Sequence, residues 1–593
     1  MLFMSLNHEL AKLFATMADV MDIKGENTFK VLAFRKVGRI LEDTTLDIRR
    51  CVEEGTLGQI EGIGKSSQRI IEEYVRTGRS ADYEEVTASV PAGLLPLLSI
   101  EGLGPRTIAL LWKERGITSA EELGAAIEAG RLEGIKGIGP KKVAGIRRGL
   151  ENRAKQGGRV GIGEALPVAE QLLARLRKLP GVKRAEVAGS LRRRRETVGD
   201  MDLLCCVEEG TDGAAITRAF VGFEGVVRIL GQGDTKASVV TSSGLQADLR
   251  VLGEAHFGAA LMYFTGSKDH NVRIRGLAQK KGMTLNEWGL YRLSDYEKAE
   301  KKTAEAPPVR PIASRTEEEI YRELGLAFIE PELREDRGEV DAALRGSLPR
   351  LIARVDLRGD LHCHTTASDG VAGIEEMAEA ARALGYEFLA ITDHSASQAI
   401  ANGLTAERLI RHAAAIRRAA ERIRGITLLA GSEVDILSDG RLDYEDAVLK
   451  ELDIVIASPH VALKQDAQKA TRRLLRAIEN RYVNVIGHPT GRLINAREGL
   501  ALDFPAIFKA AADSGTALEI NAGYPRLDLD EVNARGAIEA GVMLSINTDA
   551  HGPDGLKEVE FGLGVARRAW VEPRHVINCM NVEQLRRFLA GKR

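Results

Sequence analysis

From residue 357 onward, short apolar runs recur, and most end at or just before a side chain of a type that binds metal ions. LHCHTTASDG supplies His362, His364 and Asp369, FLAITDH supplies His394, and LLAGSEVDI supplies Glu433. IVIASPH supplies His460, VNVIGHP supplies His488, and MLSINTDAH supplies Asp549 and His551. ALEIN, residues 517–521, is a further run without an obvious ligand. Helical stretches such as IEEMAEAARAL separate the runs. Seven strand–helix alternations with polar residues at the strand exits predict a parallel α/β barrel, with its site at the strands' C-terminal face. His362 and His364 alternate, so both rings point one way and Cys363 points to the packing side. Six histidines and three carboxylates exceed the four ligands of a closed zinc site. They imply two or three ions with open positions for water and phosphate, which lower the pKa of bound water and polarise phosphorus. The mixed set suits Mn2+, Zn2+ or Fe2+.

A second set of carboxylates lies mid-chain, in GSLRRRRETVGDMDLLCCV. Asp200 and Asp202 alternate at the start of an apolar run, so a strand puts both on one face. LQADLRVL alternates too, with Ala247, Leu249 and Val251 on one side and Gln246, Asp248 and Arg250 on the other. If the two strands are neighbours, Asp248 completes a cluster of three. Divalent cations relieve such repulsion, and Mg2+ prefers carboxylate oxygens together with substrate phosphates. Two such ions clamp the attacking and leaving oxygens of an in-line phosphoryl transfer. Gly189-Ser190 lies upstream, where backbone and hydroxyl meet phosphate oxygens.

Nearer the start, the pattern apolar-x-Gly-apolar-Gly appears in IEGIGKSSQRIIEEY (60–74), IEGLGPRTIALLWKERGI (100–117) and IKGIGPKKVAGIRRGL (135–150). Each copy is a glycine turn followed by a helical pattern, whose first N–H groups are free for a phosphate. The copies resemble helix-hairpin-helix units, which hold a nucleic-acid backbone without reading sequence.

At 593 residues the chain is too long for one core. Its net charge, 83 − 85 = −2, excludes a protein that simply coats nucleic acid. The balance hides a basic stretch: residues 131–195 carry 18 lysines and arginines, ending in Arg192 to Arg195, against five glutamates. Five scattered cysteines give no disulfide framework, and no run reaches the roughly 20 apolar residues of a membrane span. The chain reads as cytoplasmic, nucleoid-associated through DNA, with no membrane partner, and monomeric.

The array Gly189-Ser190, Asp200-Met201-Asp202, Asp248 and YFTGSKDHNVRIRGLAQKKGMTLNEWGL (263–290) resembles the X-family DNA polymerases of the DNA polymerase beta type. The likeness extends over about residues 1–336, including AFRKVGRIL at 33–41. The barrel motifs H-x-H…D, T-D-H, E, P-H, G-H-P and D-A-H resemble the polymerase and histidinol phosphatase (PHP) domain over about 357–593. The expected fold is multidomain. It has an α-helical helix-hairpin-helix domain at 1–90, a second such subdomain of fingers type at 91–158, and an α/β nucleotidyltransferase palm at 159–255. A thumb at 256–336, a linker at 337–356 and a distorted (β/α)7 barrel at 357–593 follow.

The resemblance implies DNA-directed polymerisation filling short gaps in repair, on gapped or primer–template DNA with deoxynucleoside triphosphates. The barrel would act as 3′–5′ exonuclease or phosphoesterase, with cutting at abasic sites a further family activity. By the same resemblance, Asp200, Asp202 and Asp248 bind Mg2+ or Mn2+, and Asp248 accepts or positions the primer hydroxyl proton. Ser190, Arg193 and Gly199, beside Gly189, would hold the triphosphate. Tyr263, Phe264 and Gly266 would lie on its sugar, Asn271 on the base and Arg275 on the template side. Gly62, Gly64, Gly102, Gly104, Gly137 and Gly139 would face the DNA backbone, and Glu433 would bridge barrel ions.

Family members that cleave 5′-deoxyribose phosphate use a lysine where this chain has Ile70, which cannot form an imine, so that activity is expected to be absent or weak. Two other readings compete: a nucleotidyltransferase acting on a substrate other than DNA, and a repair scaffold whose only chemistry is that of the PHP domain.

Overall fold

The computed structural model describes residues 6–43, 48–60, 62–100, 103–132, 135, 137–139, 142–147, 150, 159–299 and 306–592. The chain divides into two units, Met1–Gly158 and Arg159–Arg593.

The first unit is helical. Its opening helix, Leu6–Lys24, serves two cores. Leu10, Phe14 and Met17 pack with Phe34, Leu41, Ile63 and Ile71, whereas Val20 and Ile23 pack with Leu97, Ile108, Leu111 and Ile138. The glycine turns recur in conformation: Gly62 and Gly137 both have φ of 94°, in the left-handed region that favours glycine. Gly64 and Gly104 cap the helices Lys65–Thr77 and Pro105–Arg115 without a side-chain hydrogen bond. Lys142 Nζ donates to Thr107 Oγ1 at 2.7 Å and ties the third copy to the second. Gly102, Pro140 and Lys141 lie outside the described residues.

The second unit opens with a five-stranded sheet, in spatial order Val182–Val187, Asp200–Val207, Gln246–Gly253, Lys236–Thr241, Val226–Gln232. Only the central pair, Asp200–Val207 with Gln246–Gly253, is parallel. A short ribbon, Val160–Gly161 against Thr197–Val198, runs up to Asp200. The helices Phe257–Thr265 and Lys268–Lys280 and the hairpin Met283–Asn286/Gly289–Arg292 follow. Residues 300–305 lie outside the described residues. The stretch 337–356, read from sequence as a linker, carries the helix Glu339–Arg345. It sends Val340, Ala343 and Leu351 into the same core as Ile274 and Ile320, and buries Glu339 against His270 at 2.7 Å.

The barrel has seven parallel strands in sequence order: Gly359–Asp360, Phe388–Ile391, Thr427–Asp435, Ile454–Ser458, Val485–Ile486, Ala517–Asn521 and Leu544–Asn547. Beyond the first and last strands, a parallel bridge between Cys363 and Ala550 brings the two ends together. Leu361, Phe388, Leu429, Ile456 and Val485 fill its interior core. Among the described residues no helix is long and apolar enough to cross a membrane.

Candidate active sites

The parallel pair brings the mid-chain carboxylates together, with Asp202 directly opposite Asp248 and Asp200 two residues before. Asp248 accepts from Ser238 Oγ and, at 2.9 Å, from Gln246 Nε2. Burial, with the charges of Asp200 and Asp248, pushes the Asp202 carboxyl up to about 7, against the pull of Arg250 and Arg193. That repulsion is what a divalent cation would relieve. Gly189 opens a one-turn helix at φ 59°, and a Cβ there would collide with Asp202 Oδ2. Ser190 follows it, so the turn lies against the carboxylates. Arg193 Nε meets Glu335 Oε1 at 3.0 Å, and its Nη1 donates to the Thr265 carbonyl at 2.5 Å. The arginine turn thus touches the segment Tyr263–Gly266. There the Tyr263 and Phe264 rings meet edge to face at 5.1 Å, with the Arg250 guanidinium 4.1 Å over Phe264. Asn271 Nδ2 donates to the Tyr263 carbonyl at 2.7 Å, and Arg275 lies one turn on, exposed. Gly199 lies beside a cation that the sequence did not single out, Arg159, whose Nε donates to Thr197 Oγ1 at 3.1 Å. Nothing in its local sequence marks it, because the contact spans the ribbon. In the first unit Ile70 is 1% exposed, a core residue.

At the barrel's C-terminal face the ligand-type residues converge. Atoms of His364, Asp369, His394 and His551 form one group within 4.8 Å, His362, His364, Glu433 and Asp549 a second, and His394, Glu433 and His460 a third. His488, outside these groups, has Nε2 2.8 Å from Glu433 Oε1. Glu433 belongs to two groups and sits at their centre. Burial disfavours its charge, yet His460, His362 and His394 hold it well below the usual carboxylate range. Burial likewise opposes charge on His394 and His460, but Glu433 carries them up to about 10 and about 9.

The donor set fits metal ions. His362 Nε2, His364 Nδ1, His394 Nδ1, His460 Nε2 and Glu433 Oε2 are buried without a hydrogen-bond partner, which is costly unless another group uses them. Two opposite ring nitrogens are taken: His362 Nδ1 lies 2.8 Å from Glu519 Oε1, and His460 Nδ1 bonds Asp435. Carboxylates behind ligating histidines fix ring orientation and tautomer. Glu519 also accepts from the His488 backbone at 2.8 Å. It is the charged residue of ALEIN, the run without an obvious ligand, and a lone charge in an apolar run was its signal. Asp435, two residues after Glu433 on the same strand face, was legible by the same alternation. The cluster opens where Asp369 (31% exposed) and His551 (41%) reach solvent. Arg526 Nε lies 3.5 Å from Asp549 Oδ2.

Fold and sites define a nucleotidyltransferase palm and thumb joined to a histidine-lined phosphoesterase-type barrel. Comparison with known proteins gives this class its members. The DNA polymerase beta thumb family matches residues 260–335 and the PHP domain family 360–523. A helix-hairpin-helix domain matches 5–80, and a SAM-like helix-hairpin-helix tandem 94–152. The chain is 39% identical over 583 residues to "DNA polymerase/3′-5′ exonuclease PolX" of Bacillus subtilis (strain 168), covering 98% of this chain and 99% of that one. Its last part is 30% identical over 245 residues to a "Probable phosphatase" of Thermoanaerobacter sp. (strain X514), covering 40% of this chain and 95% of that one. The chain belongs to the bacterial X-family DNA polymerases that carry a C-terminal PHP domain.

Proposed function

We propose that this chain extends DNA primer ends at the palm, filling short gaps in repair, and removes nucleotides from 3′ ends at the barrel. The observation that carries the reading is the pairing of Asp202 with Asp248 in one molecule with a nine-residue histidine and carboxylate cluster. In the palm, Asp200, Asp202 and Asp248 hold Mg2+ or Mn2+, and Asp248 takes or positions the proton of the primer hydroxyl. The 3′ oxygen attacks the α-phosphorus, and pyrophosphate leaves. Gly189, Ser190 and Gly199 present backbone and hydroxyl groups to the triphosphate, with Arg193 once it leaves Glu335. Tyr263, Phe264 and Gly266 lie along the sugar, Asn271 beside the base and Arg275 toward the template.

In the barrel, His362, His364, Asp369, His394, Glu433, His460, His488, Asp549 and His551 hold two or three Mn2+, Zn2+ or Fe2+ ions. Bound ions there supply Lewis acidity to the scissile phosphodiester. Glu519 and Asp435 keep His362 and His460 facing inward. Gly62, Gly64, Gly102, Gly104, Gly137 and Gly139 face the DNA backbone. The division into 1–90, 91–158, 159–255, 256–336, 337–356 and 357–593, a monomeric state and a cytoplasmic, nucleoid-associated location complete the proposal. The buried Ile70 supports the absence of an imine-forming lyase at that position.

A gapped duplex labelled at the primer 5′ end, incubated with each divalent metal in turn, tests both activities together. Extension with triphosphates and shortening without them are the expected results. A chain that does neither with any metal contradicts the proposal.

A further inference from the structure

The loop Ser395–Gly403 leaves the barrel at His394 and returns to it. Leu404 N donates to the His394 carbonyl at 2.8 Å, and Ser395 N to the Glu433 carbonyl at 3.0 Å. Both ends are therefore pinned to members of the histidine cluster. Its middle is pinned as well. Ser397 Oγ and Gln398 Nε2 donate to Asp435 Oδ2 at 2.5 and 2.8 Å, and Asp435 is the carboxylate behind His460. Asn402 Nδ2 reaches the carbonyls of Ala367 and Ser368 at 3.3 and 3.4 Å, and Arg408 Nη2 donates to the Ala367 carbonyl at 2.9 Å. That segment leads directly into Asp369. A Cβ on Gly403 would collide with the Ser395 carbonyl, and Asn402 adopts a left-handed φ of 53°. These ties leave little freedom for the loop to move independently of the cluster.

At its tip a single 3-10 turn, Ala399–Ala401, holds Ile400 fully exposed. The other loop residues are small or polar. One exposed aliphatic side chain is ordinary on a protein surface. Its place decides the matter: the loop is anchored next to Asp369, on the side where the cluster opens to solvent. On the loop after the strand Ile454–Ser458, Val461 is also exposed, one residue after His460. An aliphatic group offers no hydrogen bond to a base edge and no charge to a phosphate. What it does offer is a hard apolar surface for the face of any base, the sequence-independent contact by which proteins part stacked bases.

We infer that Ile400 is a positioning residue of 3′-end removal: it abuts the terminal base and holds that nucleotide off its neighbour, so that the phosphodiester reaches the histidine cluster. The inference rests on the exonuclease reading above. The occupant is a DNA end because the loop is fastened to the residues that would act on one.

The full chain with Ile400→Ala, Ile400→Phe and wild-type sequence is compared on paired 3′ ends, single-stranded 3′ ends and bis(p-nitrophenyl) phosphate. Ile400→Ala should slow release from paired ends about tenfold and from single strands much less, with Ile400→Phe near wild type. Hydrolysis of the small ester should be unchanged in both variants. Wild-type rates for Ile400→Ala on paired ends, as expected if the tip met a protein partner instead, would overturn the inference. A parallel loss on the small ester would also overturn it, by making the loop a mere support of the cluster. A wild-type chain that cleaves the ester but releases nothing from any DNA would instead remove the exonuclease reading, and the inference with it.

Discussion

Glu519 stands behind the barrel cluster without belonging to a motif, whereas Gly189 belongs to the Gly-Ser motif beside the palm carboxylates. Glu519 receives His362 Nδ1, the His488 backbone and the Asn547 amide, all within 2.8 Å. Glu519→Gln keeps the shape but removes the charge that orients His362. We expect about a 10- to 100-fold loss of 3′-end shortening, with primer extension unchanged. Gly189 has two reasons to be glycine, its positive φ and the Asp202 carboxylate against its α-carbon. Gly189→Ala should cost about a hundredfold or more in primer extension while shortening persists. At this scale the sequence was most legible where chemistry repeats. Nine barrel residues were identifiable because most of them closely follow an apolar run, and eight of them fall into the three close groups. Arg159 and the Glu335 partner of Arg193 were not, because their contacts join positions far apart in the chain.

At the scale of elements, alternation located the strands. The apolar runs at 203–207 and 247–252 became Asp200–Val207 and Gln246–Gly253, each extended outward to include its polar end. Asp200, Asp202 and Asp248 all lie within these strands. Loops that fold back on a strand end, such as Ser395–Gly403, have no periodicity and could not be read. The glycine turns were legible by repetition, and Gly62 and Gly137 share one conformation. A Cβ at Gly62 would come within 2.5 Å of Ile40 Cδ1, on a backbone that disfavours side chains. Gly62→Ala should therefore weaken binding of gapped DNA several-fold, read by fluorescence anisotropy, with hydrolysis of a small phosphodiester by the barrel unaffected. Equal binding by variant and wild type would exclude the first hairpin from the DNA contact.

In the second unit as a whole, palm, thumb and barrel are joined by partly buried ion pairs that no motif announced. Glu335 meets Arg193 at 3.0 Å and Arg568 of the barrel at 2.9 Å, and Arg492 of the barrel meets Glu196 of the palm at 2.6 Å. Tyr524 packs over Gly161 and Gly163, and its hydroxyl donates to Glu164 at 2.8 Å. Arg193, expected to hold the triphosphate, thus also serves assembly. Burial opposes the Glu335 charge, but Arg193 and Arg568 outweigh it and hold the carboxyl at about 2, below its ordinary 4.5. The stability this supplies, up to about 3 kcal/mol, is present above the unfolded value and lost as pH falls from 4.5 toward 2. Glu335→Gln should lower the denaturant midpoint near neutral pH, and the gap from wild type should narrow as the solution is acidified through that window. A gap independent of pH would assign the effect to packing. On the function proposed above, two separate clusters, one of carboxylates and one dominated by imidazoles, do different work on DNA ends. Its most direct test is Asp248→Ala beside the double substitution His362→Ala/His364→Ala, each scored for primer extension and shortening. Loss of extension alone in the first and of shortening alone in the second is the predicted result, and equal loss of both activities in either would contradict it.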